Sequence, residues 1–230
     1  MVCLNIKVGV SYLKYRKVKR LLDIVFSLIG LIILSPIMLI VAIAIKIESR
    51  GPVIFKQDRL GLNGKVFKIY KFRSMYVGAE KKGVYETKGD PRVTKVGRFI
   101  RKTSIDELPQ FINIIKGDMS IIGPRPTLTY HPWPFEEYTE IQKKRFSVRP
   151  GVTGWAQVNG RKELPWEKRI EYDIEYVENL SFLFDLKIFF KTIIKVLSMK
   201  DNVNTRETAK KIEPPSQVAK ISGTTEEGRK

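Results

Sequence analysis

The sequence contains one cysteine and one histidine in 230 residues, and this scarcity excludes several kinds of site. Cys3 alone cannot form an internal disulfide or a cysteine-based zinc site. A Ser/His/Asp triad would have to use His131, which lies in a proline-rich segment without a supporting pattern, so we interpret it as a loop residue. The glycine patterns of dinucleotide-binding folds (GxGxxG) and of P-loops (GxxxxGKS/T) are also missing.

Acidic residues are few relative to basic ones: 24 Asp and Glu stand against 42 Lys and Arg, which gives a formal net charge of +18. Such an excess predicts a negatively charged partner. A nucleic acid, an anionic membrane surface and a phosphorylated substrate would each satisfy it. A hydrophobic content of 43% argues against general disorder.

Charged residues are absent from positions 24 to 45, a run that is long enough to cross a bilayer. The run is too long for a signal peptide and lacks a cleavage site, so we predict a membrane helix. Ser35 and Pro36 lie near its middle, and proline removes a helical hydrogen bond. We therefore expect a kink or break there, with the serine hydroxyl or packed protein as partner for the freed carbonyls.

Basic residues flank this run on both sides, so a straight span would export one basic flank. The flanking residues are Lys14, Arg16, Lys17, Lys19 and Arg20 before the run, and Lys46, Arg50, Lys56 and Arg59 after it. We favour a re-entrant helix with both ends in the cytoplasm, and an ordinary kinked span is the alternative.

The remaining pattern predicts a β-hairpin followed by helices that are separated by Pro/Gly-rich loops. The strands are predicted at 53–55 and 66–74, and helices at 99–115, 166–179 and 182–199. Lys187, Lys191 and Lys195 form a stripe on the last helix. That helix either lies in the membrane interface with its lysines at the head groups or packs as an amphipathic core helix. Residues 205–230 are polar, and we predict a disordered tail.

Two adjacent carboxylates, Asp106 and Glu107, stand beside several cations in the sequence. One interpretation makes Ser104 to Glu107 a capping box. A helix that starts at Asp106 instead places Pro109 harmlessly in its first turn. These residues alone leave a capping role and a functional role open.

Arginines in rigid loops are the clearest candidates for binding phosphate. Arg125 lies between Pro124 and Pro126, and a second loop carries the glycines of residues 150–154 and then Arg161. The nearest match to a metal-binding DxD is Asp173-Ile174-Glu175, which we interpret as a solvated helix face.

With these motifs the chain resembles the bacterial sugar transferases, or monotopic phosphoglycosyl transferases, over residues 19–203. The matching segments are the basic-flanked helix with Ser35-Pro36, Lys71-Phe72-Arg73-Ser74-Met75, Asp90-Pro91-Arg92, residues 98–110, Gly117-Asp118-Met119-Ser120, residues 123–126 and residues 150–161. The chain looks like a minimal member, because neither extra N-terminal membrane helices nor an appended second enzyme is visible.

The resemblance implies transfer of a sugar 1-phosphate from a UDP-sugar to polyprenyl (undecaprenyl) phosphate, which releases UMP and starts polysaccharide or glycoconjugate synthesis. It implies that Asp106 attacks the β-phosphorus to form a covalent intermediate and that Asp106 and Glu107 bind Mg²⁺. It also implies that Arg101, Arg125 and Arg161 hold phosphate.

Together these features predict a membrane-associated α+β fold. It comprises an N-terminal re-entrant membrane helix, a small β-hairpin, helices joined by long Pro/Gly-rich loops, and amphipathic interfacial helices. We divide the chain into a basic segment (1–20), the re-entrant helix (21–50), a catalytic domain (51–204) and the disordered tail (205–230). The expected location is the bacterial inner membrane, with the catalytic domain on its cytoplasmic face.

The expected partners are the UDP-sugar, the polyprenyl phosphate and membrane lipid. No nucleic acid is expected, and the protein assembly that we predict is a homodimer. The alternative is a membrane-anchored basic module that binds nucleic acid or anionic lipid. That alternative explains the charge but gives Asp106 and Glu107 no role.

Overall fold

The computed structural model describes residues 2–79, 83, 89–160 and 164–197, with only the backbone course for residues 2–13 and 197. Arg161 and the predicted tail at 205–230 therefore lie outside the described residues. The fold combines one long N-terminal helix with a β-hairpin, a short parallel strand pair and further helices. This mixture confirms the predicted α+β class.

Helix α1 runs from Val2 to Glu48 without interruption, so it covers both the predicted basic segment and the predicted membrane segment. The predicted break at Ser35 and Pro36 does not divide it into two helices. Pro36 lacks the N–H that would bind the carbonyl oxygen of Ile32, but Ser35 Oγ donates to that same oxygen at 2.8 Å. The serine hydroxyl therefore replaces the lost hydrogen bond, which is the partner that we expected for it.

The stretch of α1 from Lys14 to Glu48 is long and apolar enough to cross a membrane. Only 11% of its most apolar 18-residue window is buried inside the protein. Its outward side exposes large aliphatic side chains such as Ile32, Ile33 and Ile40. A core helix would bury these side chains, so this helix needs an apolar environment other than the protein itself.

Both flanks of the apolar run are attached to the rest of the chain. On the N-terminal side, Arg20 Nη1 donates to the carbonyl oxygen of Ile114 at 2.6 Å, and Asp23 Oδ1 accepts from the Ile121 N–H at 3.0 Å. On the C-terminal side, the Glu48 carboxylate accepts from the backbone N–H groups of Lys95 and Val96 at 2.6 and 2.9 Å. The two ends of the membrane segment therefore contact one polar domain.

The predicted hairpin is confirmed, although its first strand is longer than expected. Strand β1 (Ile54–Leu60) pairs antiparallel with β2 (Val66–Phe72), from Ile54 opposite Phe72 to Leu60 opposite Val66. A short 3-10 turn at Leu62–Gly64 connects them. Phe72 packs with Val41 and Ile45 of α1, so the end of the hairpin lies against the membrane helix.

The predicted helix at 99–115 is two helices: α2 (Lys95–Lys102) and α3 (Gln110–Lys116). A 3-10 turn at Ile105–Glu107 separates them. Ser104 has a left-handed backbone with φ of 58°, which ends the helical path after α2. Gly117 ends α3 as predicted, with φ of 98°.

The C-terminal part is built on strands β3 (Ser120–Ile122) and β4 (Gly151–Thr153), which pair in parallel, and on four helices. These helices are α4 (Glu140–Lys143), α5 (Trp155–Asn159), α6 (Trp166–Glu178) and α7 (Phe182–Leu197). The last two confirm the predicted helices, apart from the end of α7, where residues 198 and 199 lie outside the described range. Trp155, Tyr176 and Ile188 form the core between α5, α6 and α7.

Helix α7 has one side buried in the core and one exposed apolar side. Ile188 is fully buried in the core, whereas Phe182, Leu183, Phe190 and Ile194 are exposed on the outer side. The position of the lysine stripe at the head groups stays a prediction. Lys187 and Lys191 lie over the Trp155 ring at 5.0 and 4.6 Å, and Lys195 donates to the backbone carbonyl of Gln157.

Candidate active site

Asp106 and Glu107 lie in the turn between α2 and α3 and not in the first turn of a helix. Both predicted helix starts are therefore too early, because α3 begins at Gln110 and Pro109 directly precedes it. Proline is tolerated there because the first N–H groups of a helix have no intrahelical partner. The carboxylates are thus held by their tertiary contacts and not by a capping arrangement.

Glu107 is held between two cations from different parts of the fold. Its Oε1 accepts from Lys71 Nζ at 2.9 Å and from Arg125 Nη2 at 2.7 Å, and its side chain is only 11% exposed. Lys71 belongs to β2, and Arg125 comes from the loop that follows β3. Charge-assisted hydrogen bonds of this kind are stronger than neutral ones, so the three side chains form a rigid unit.

Asp106 lines a cleft of about 590 Å³ together with Lys71 and Arg101. Burial is the main effect on this carboxyl group and raises its pKa, an effect that Glu107 adds to. Lys71, Arg101 and Arg125 oppose it by favouring the charged form. Asp106 is therefore a poorly solvated carboxyl group among cations, which is an arrangement suited to reaction with a phosphate-bearing substrate.

Lys71 was not singled out from the sequence, although it lies in the motif of residues 71–75. Burial lowers the pKa of its ammonium group, while the charge of Glu107 opposes that shift. Arg59, at the end of β1, is a second missed cation, and burial together with the nearby Arg125 lowers its pKa to about 10. The sequence gives little indication of either residue, because each strand carries two basic residues. Only the fold shows which of them face the carboxylates.

The loop that carries Arg125 is supported from behind by a buried ion pair. Arg145 Nη2 donates to the backbone carbonyl of Arg125 at 3.0 Å and to Asp173 Oδ2 at 2.6 Å. The side chains of Arg145 and Asp173 are each 2% exposed. The interpretation of Asp173 as part of a solvated helix face is therefore wrong, because its side chain is buried and paired with Arg145.

The structure separates the predicted phosphate-binding arginines. Arg101 lines the large cleft with Asp106, whereas Arg125 pairs with Glu107 and lines a smaller groove. The placement of Arg161 lies outside the described part of the chain. Within that part, no cluster of three or more His, Cys, Asp or Glu side chains has the spacing of a metal site, so Asp106 and Glu107 would need ligands from a substrate.

The long apolar helix agrees with membrane association, and the carboxylate pair with its cations is a candidate site for phosphorylated ligands. Residues 14–199 match the model of the bacterial sugar transferase family, and the chain belongs to that family.

Several curated proteins share this region. A UDP-glucose:undecaprenyl-phosphate glucose-1-phosphate transferase of Escherichia coli strain K12 is 49% identical over 186 residues, which cover 78% of this chain and 40% of that protein. A UDP-N-acetylgalactosamine-undecaprenyl-phosphate N-acetylgalactosaminephosphotransferase of Aeromonas hydrophila is 46% identical, over 80% of this chain and 44% of its own length. The uncharacterized sugar transferase EpsL of Bacillus subtilis strain 168 is 48% identical, over 78% of this chain and 87% of its own length. The chain thus spans about two fifths of the length of the first two relatives.

Proposed function

We propose that the chain is a phosphoglycosyl transferase that moves a sugar 1-phosphate from a UDP-sugar to a polyprenyl phosphate. The observation that carries this proposal is the position of Asp106, a desolvated carboxyl group among Lys71, Arg101 and Arg125 at a large cleft. Membership of the sugar transferase family and the printed activities of the relatives support it.

In the first half of the reaction, a carboxylate oxygen of Asp106 attacks the β-phosphorus of the UDP-sugar. The new bond forms from that oxygen to phosphorus, the bond to the bridging oxygen breaks, and UMP leaves with the electron pair. Arg101 in the cleft offsets the negative charge of the diphosphate, which otherwise repels the attacking carboxylate. Arg125 and Arg161 complete the proposed phosphate-binding set.

In the second half, a phosphate oxygen of the polyprenyl phosphate attacks the same phosphorus. The bond to Asp106 breaks, its electron pair returns to the carboxylate, and a polyprenyl-diphosphate sugar is released. Glu107 Oε1 keeps both Lys71 and Arg125 in place throughout both steps.

Magnesium fits this site through the chemistry of its donors. Mg²⁺ prefers oxygen ligands and is commonly held by one or two carboxylates together with substrate phosphates. The adjacent carboxylates of Asp106 and Glu107 supply oxygen donors of this kind. When bound, the ion would neutralise charge on the diphosphate.

The re-entrant course of α1 is part of the same proposal. A helix that crossed the bilayer would carry its flanks to opposite faces, about 30 Å apart. The polar domain that binds Arg20 and Asp23 at one flank and Glu48 at the other would then have to cross as well. These contacts, together with the basic flanks, favour a helix that enters and leaves on the cytoplasmic face of the inner membrane.

This topology places the chemistry at the head-group plane, where a soluble nucleotide sugar and a lipid phosphate can both reach Asp106. The lipid product would start the assembly of a polysaccharide or glycoconjugate. A homodimer stays a prediction, which the mass of the protein–detergent complex would test.

The experiment that tests this function is a turnover assay with purified protein, Mg²⁺, polyprenyl phosphate and a panel of UDP-sugars. The panel includes UDP-glucose, UDP-galactose and UDP-N-acetylgalactosamine, and release of UMP is measured. At least one sugar should support turnover by the native protein, and Asp106→Asn should abolish it while the variant stays folded. Turnover that persists in Asp106→Asn would contradict the proposal.

A further inference from the structure

A second cavity lies beside the Glu107 carboxylate. It is a groove of about 140 Å³, and Glu107 and Arg125 form part of its wall. Lys71, the other cation on Glu107, lines the large cleft instead. The Lys71–Glu107–Arg125 unit therefore borders both cavities, which differ in size.

Most of the exposed surface of the groove is apolar, although more than half of its lining residues are polar or charged. The apolar residues are Leu108, Phe111, Val152, Val158 and Val196. The cations are Lys102, Arg125 and Lys195. A wall of this composition is complementary to a ligand that carries a hydrocarbon chain at one end and an anionic group at the other.

The groove is continuous with the apolar surface of the two helices that expose it. Phe111 lies against Gly30 in the middle of the membrane segment of α1, where the ring is 3.2 Å from the position that a Cβ would take. Val196 belongs to α7, whose neighbouring Ile193 and Ile194 are exposed. A lipid that lies along α1 and α7 therefore reaches the groove without passing through water.

We propose that this groove binds the lipid acceptor, with the phosphate-proximal part of its isoprenoid chain against Phe111 and Val158 and its phosphate beside Lys195 and Arg125. This inference rests on the proposed function and adds a separate site for its second substrate. The nucleotide sugar then occupies the large cleft with Asp106, and the acceptor arrives from the membrane side.

The size of the groove agrees with this assignment. An apolar cavity of about 150 Å³ is sufficient to bind a molecule of the size of benzene. The groove of 140 Å³ therefore accommodates about one isoprenoid unit. The rest of a polyprenyl chain remains outside, along the exposed side chains of α1 and α7.

The test compares two lysines that are one helical turn apart on α7. Lys195 lines the groove, whereas Lys191 lies over Trp155, donates to Asn159 Oδ1 at 3.2 Å and does not line it. The variants Lys195→Gln and Lys191→Gln remove the same charge from the same face of the same helix. Turnover is measured in micelles of an uncharged detergent, so that the polyprenyl phosphate is the only lipid phosphate present.

Lys195→Gln should lower kcat/KM for polyprenyl phosphate about tenfold, because one charge-assisted hydrogen bond is lost. Its kcat/KM for the UDP-sugar should stay within about twofold of the native value, because a distant substitution leaves the large cleft intact. Lys191→Gln should change neither value. Inorganic phosphate should not inhibit the native protein at the concentration at which the lipid saturates it, because the chain supplies part of the binding.

A second variant, Val158→Trp, fills the groove without changing its charge and should also lower kcat/KM for the acceptor alone. An unchanged kcat/KM for the acceptor in both Lys195→Gln and Val158→Trp would overturn the assignment. An equal loss in kcat/KM for both substrates would overturn it too, since that pattern indicates a general structural defect. If the native protein transfers no sugar phosphate from any UDP-sugar, the proposed function fails, and this inference fails with it.

Discussion

At the scale of single residues, the site depends on the ion pairs that Glu107 makes with two cations. Glu107 has cations from β2 and from the loop after β3 on one oxygen, and both distances are below 3 Å. Buried charges are retained only when they are paired and hydrogen-bonded in this way. Glu107 is thus the residue that positions Lys71 and Arg125 around Asp106.

Arg125→Lys should reduce turnover although it keeps the charge. A guanidinium group presents several donors in a fixed plane, whereas an ammonium group is a point charge on a flexible chain. Loss of one charge-assisted hydrogen bond should lower kcat about tenfold or more. The matched control is Arg98→Lys at an exposed position of α2. Near-normal turnover of Arg125→Lys would show that Glu107 requires only a positive charge at this position.

Arg145→Met should destabilise the protein and reduce turnover as well. Removing one partner of a buried ion pair costs about 3–5 kcal/mol, because Asp173 would remain charged and unpaired. The Arg125 backbone would also lose its donor. The adjacent Lys144→Met is the control: its pair with Glu178 is about half exposed and should contribute about 0–1 kcal/mol. Equal thermal midpoints of the two variants would contradict this account.

The candidate residues could be predicted from the sequence only in part. Asp106 and Glu107 are visible as an acidic pair among cations, and Arg125 is visible between two prolines. Lys71 and Asp173 are not, because their roles depend on contacts with residues 36 and 28 positions away in the chain. Local patterns carry no information about such pairs.

At the scale of elements, the packing of α2 against the end of the hairpin determines where the Asp106 turn lies. Gly97 of α2 packs so closely on Ser74 that an added Cβ would lie 1.9 Å from the Ser74 carbonyl oxygen. Thr94 also caps α2, with its hydroxyl accepting from the Gly97 N–H at 2.8 Å. The start of α2 is therefore fixed on the backbone that follows β2.

Gly97→Ala should displace α2 and with it the turn that carries Asp106. Backbone atoms cannot move aside as a flexible side chain can, so overpacking should cost about 1–3 kcal/mol. We expect a lower thermal midpoint and reduced turnover. Lys95→Ala, at the exposed first position of the same helix, should leave both nearly unchanged. A Gly97→Ala variant with native stability and turnover would show that α2 does not position the site.

Elements with strong local signals could be predicted, and those set by tertiary contacts could not. The hairpin, α6 and α7 follow from alternation and helical periodicity. The division of residues 99–115 into α2 and α3 was missed, because apolar spacing continues across the turn while Ser104 takes a left-handed backbone. The choice between a kink and a break in α1 could not be made from the sequence, because proline is compatible with both and the Ser35 hydroxyl supplies the hydrogen bond to Ile32 that keeps α1 one helix.

At the scale of the whole molecule, the exposed apolar faces of α1 and α7 and the basic flanks of α1 agree with a membrane-associated protein. The polar domain contacts both ends of the membrane segment, so the position of the domain is tied to that of the segment at both flanks. The net charge of +18 agrees with anionic head groups and phosphorylated substrates.

Cysteine labelling tests the topology. With Cys3→Ser as background, single cysteines replace Lys14 and Arg50, one on each side of the apolar run. Both should resist a membrane-impermeant thiol reagent in intact cells and react after permeabilisation, because the proposed topology places both flanks on the cytoplasmic face. Labelling of the Lys14→Cys variant in intact cells, with the Arg50→Cys variant protected, would establish a spanning helix instead.

The central claim is that Asp106 forms a covalent bond to the transferred phosphorus, and exchange of UMP without a lipid acceptor tests it most directly. With Mg²⁺ and a UDP-sugar that supports full turnover, the native protein should incorporate labelled UMP into UDP-sugar, because the first half of the reaction is reversible. It should also release about one UMP per active site. Asp106→Asn keeps the shape of the side chain and should abolish both signals. Full turnover by the native protein without any exchange would contradict the covalent mechanism.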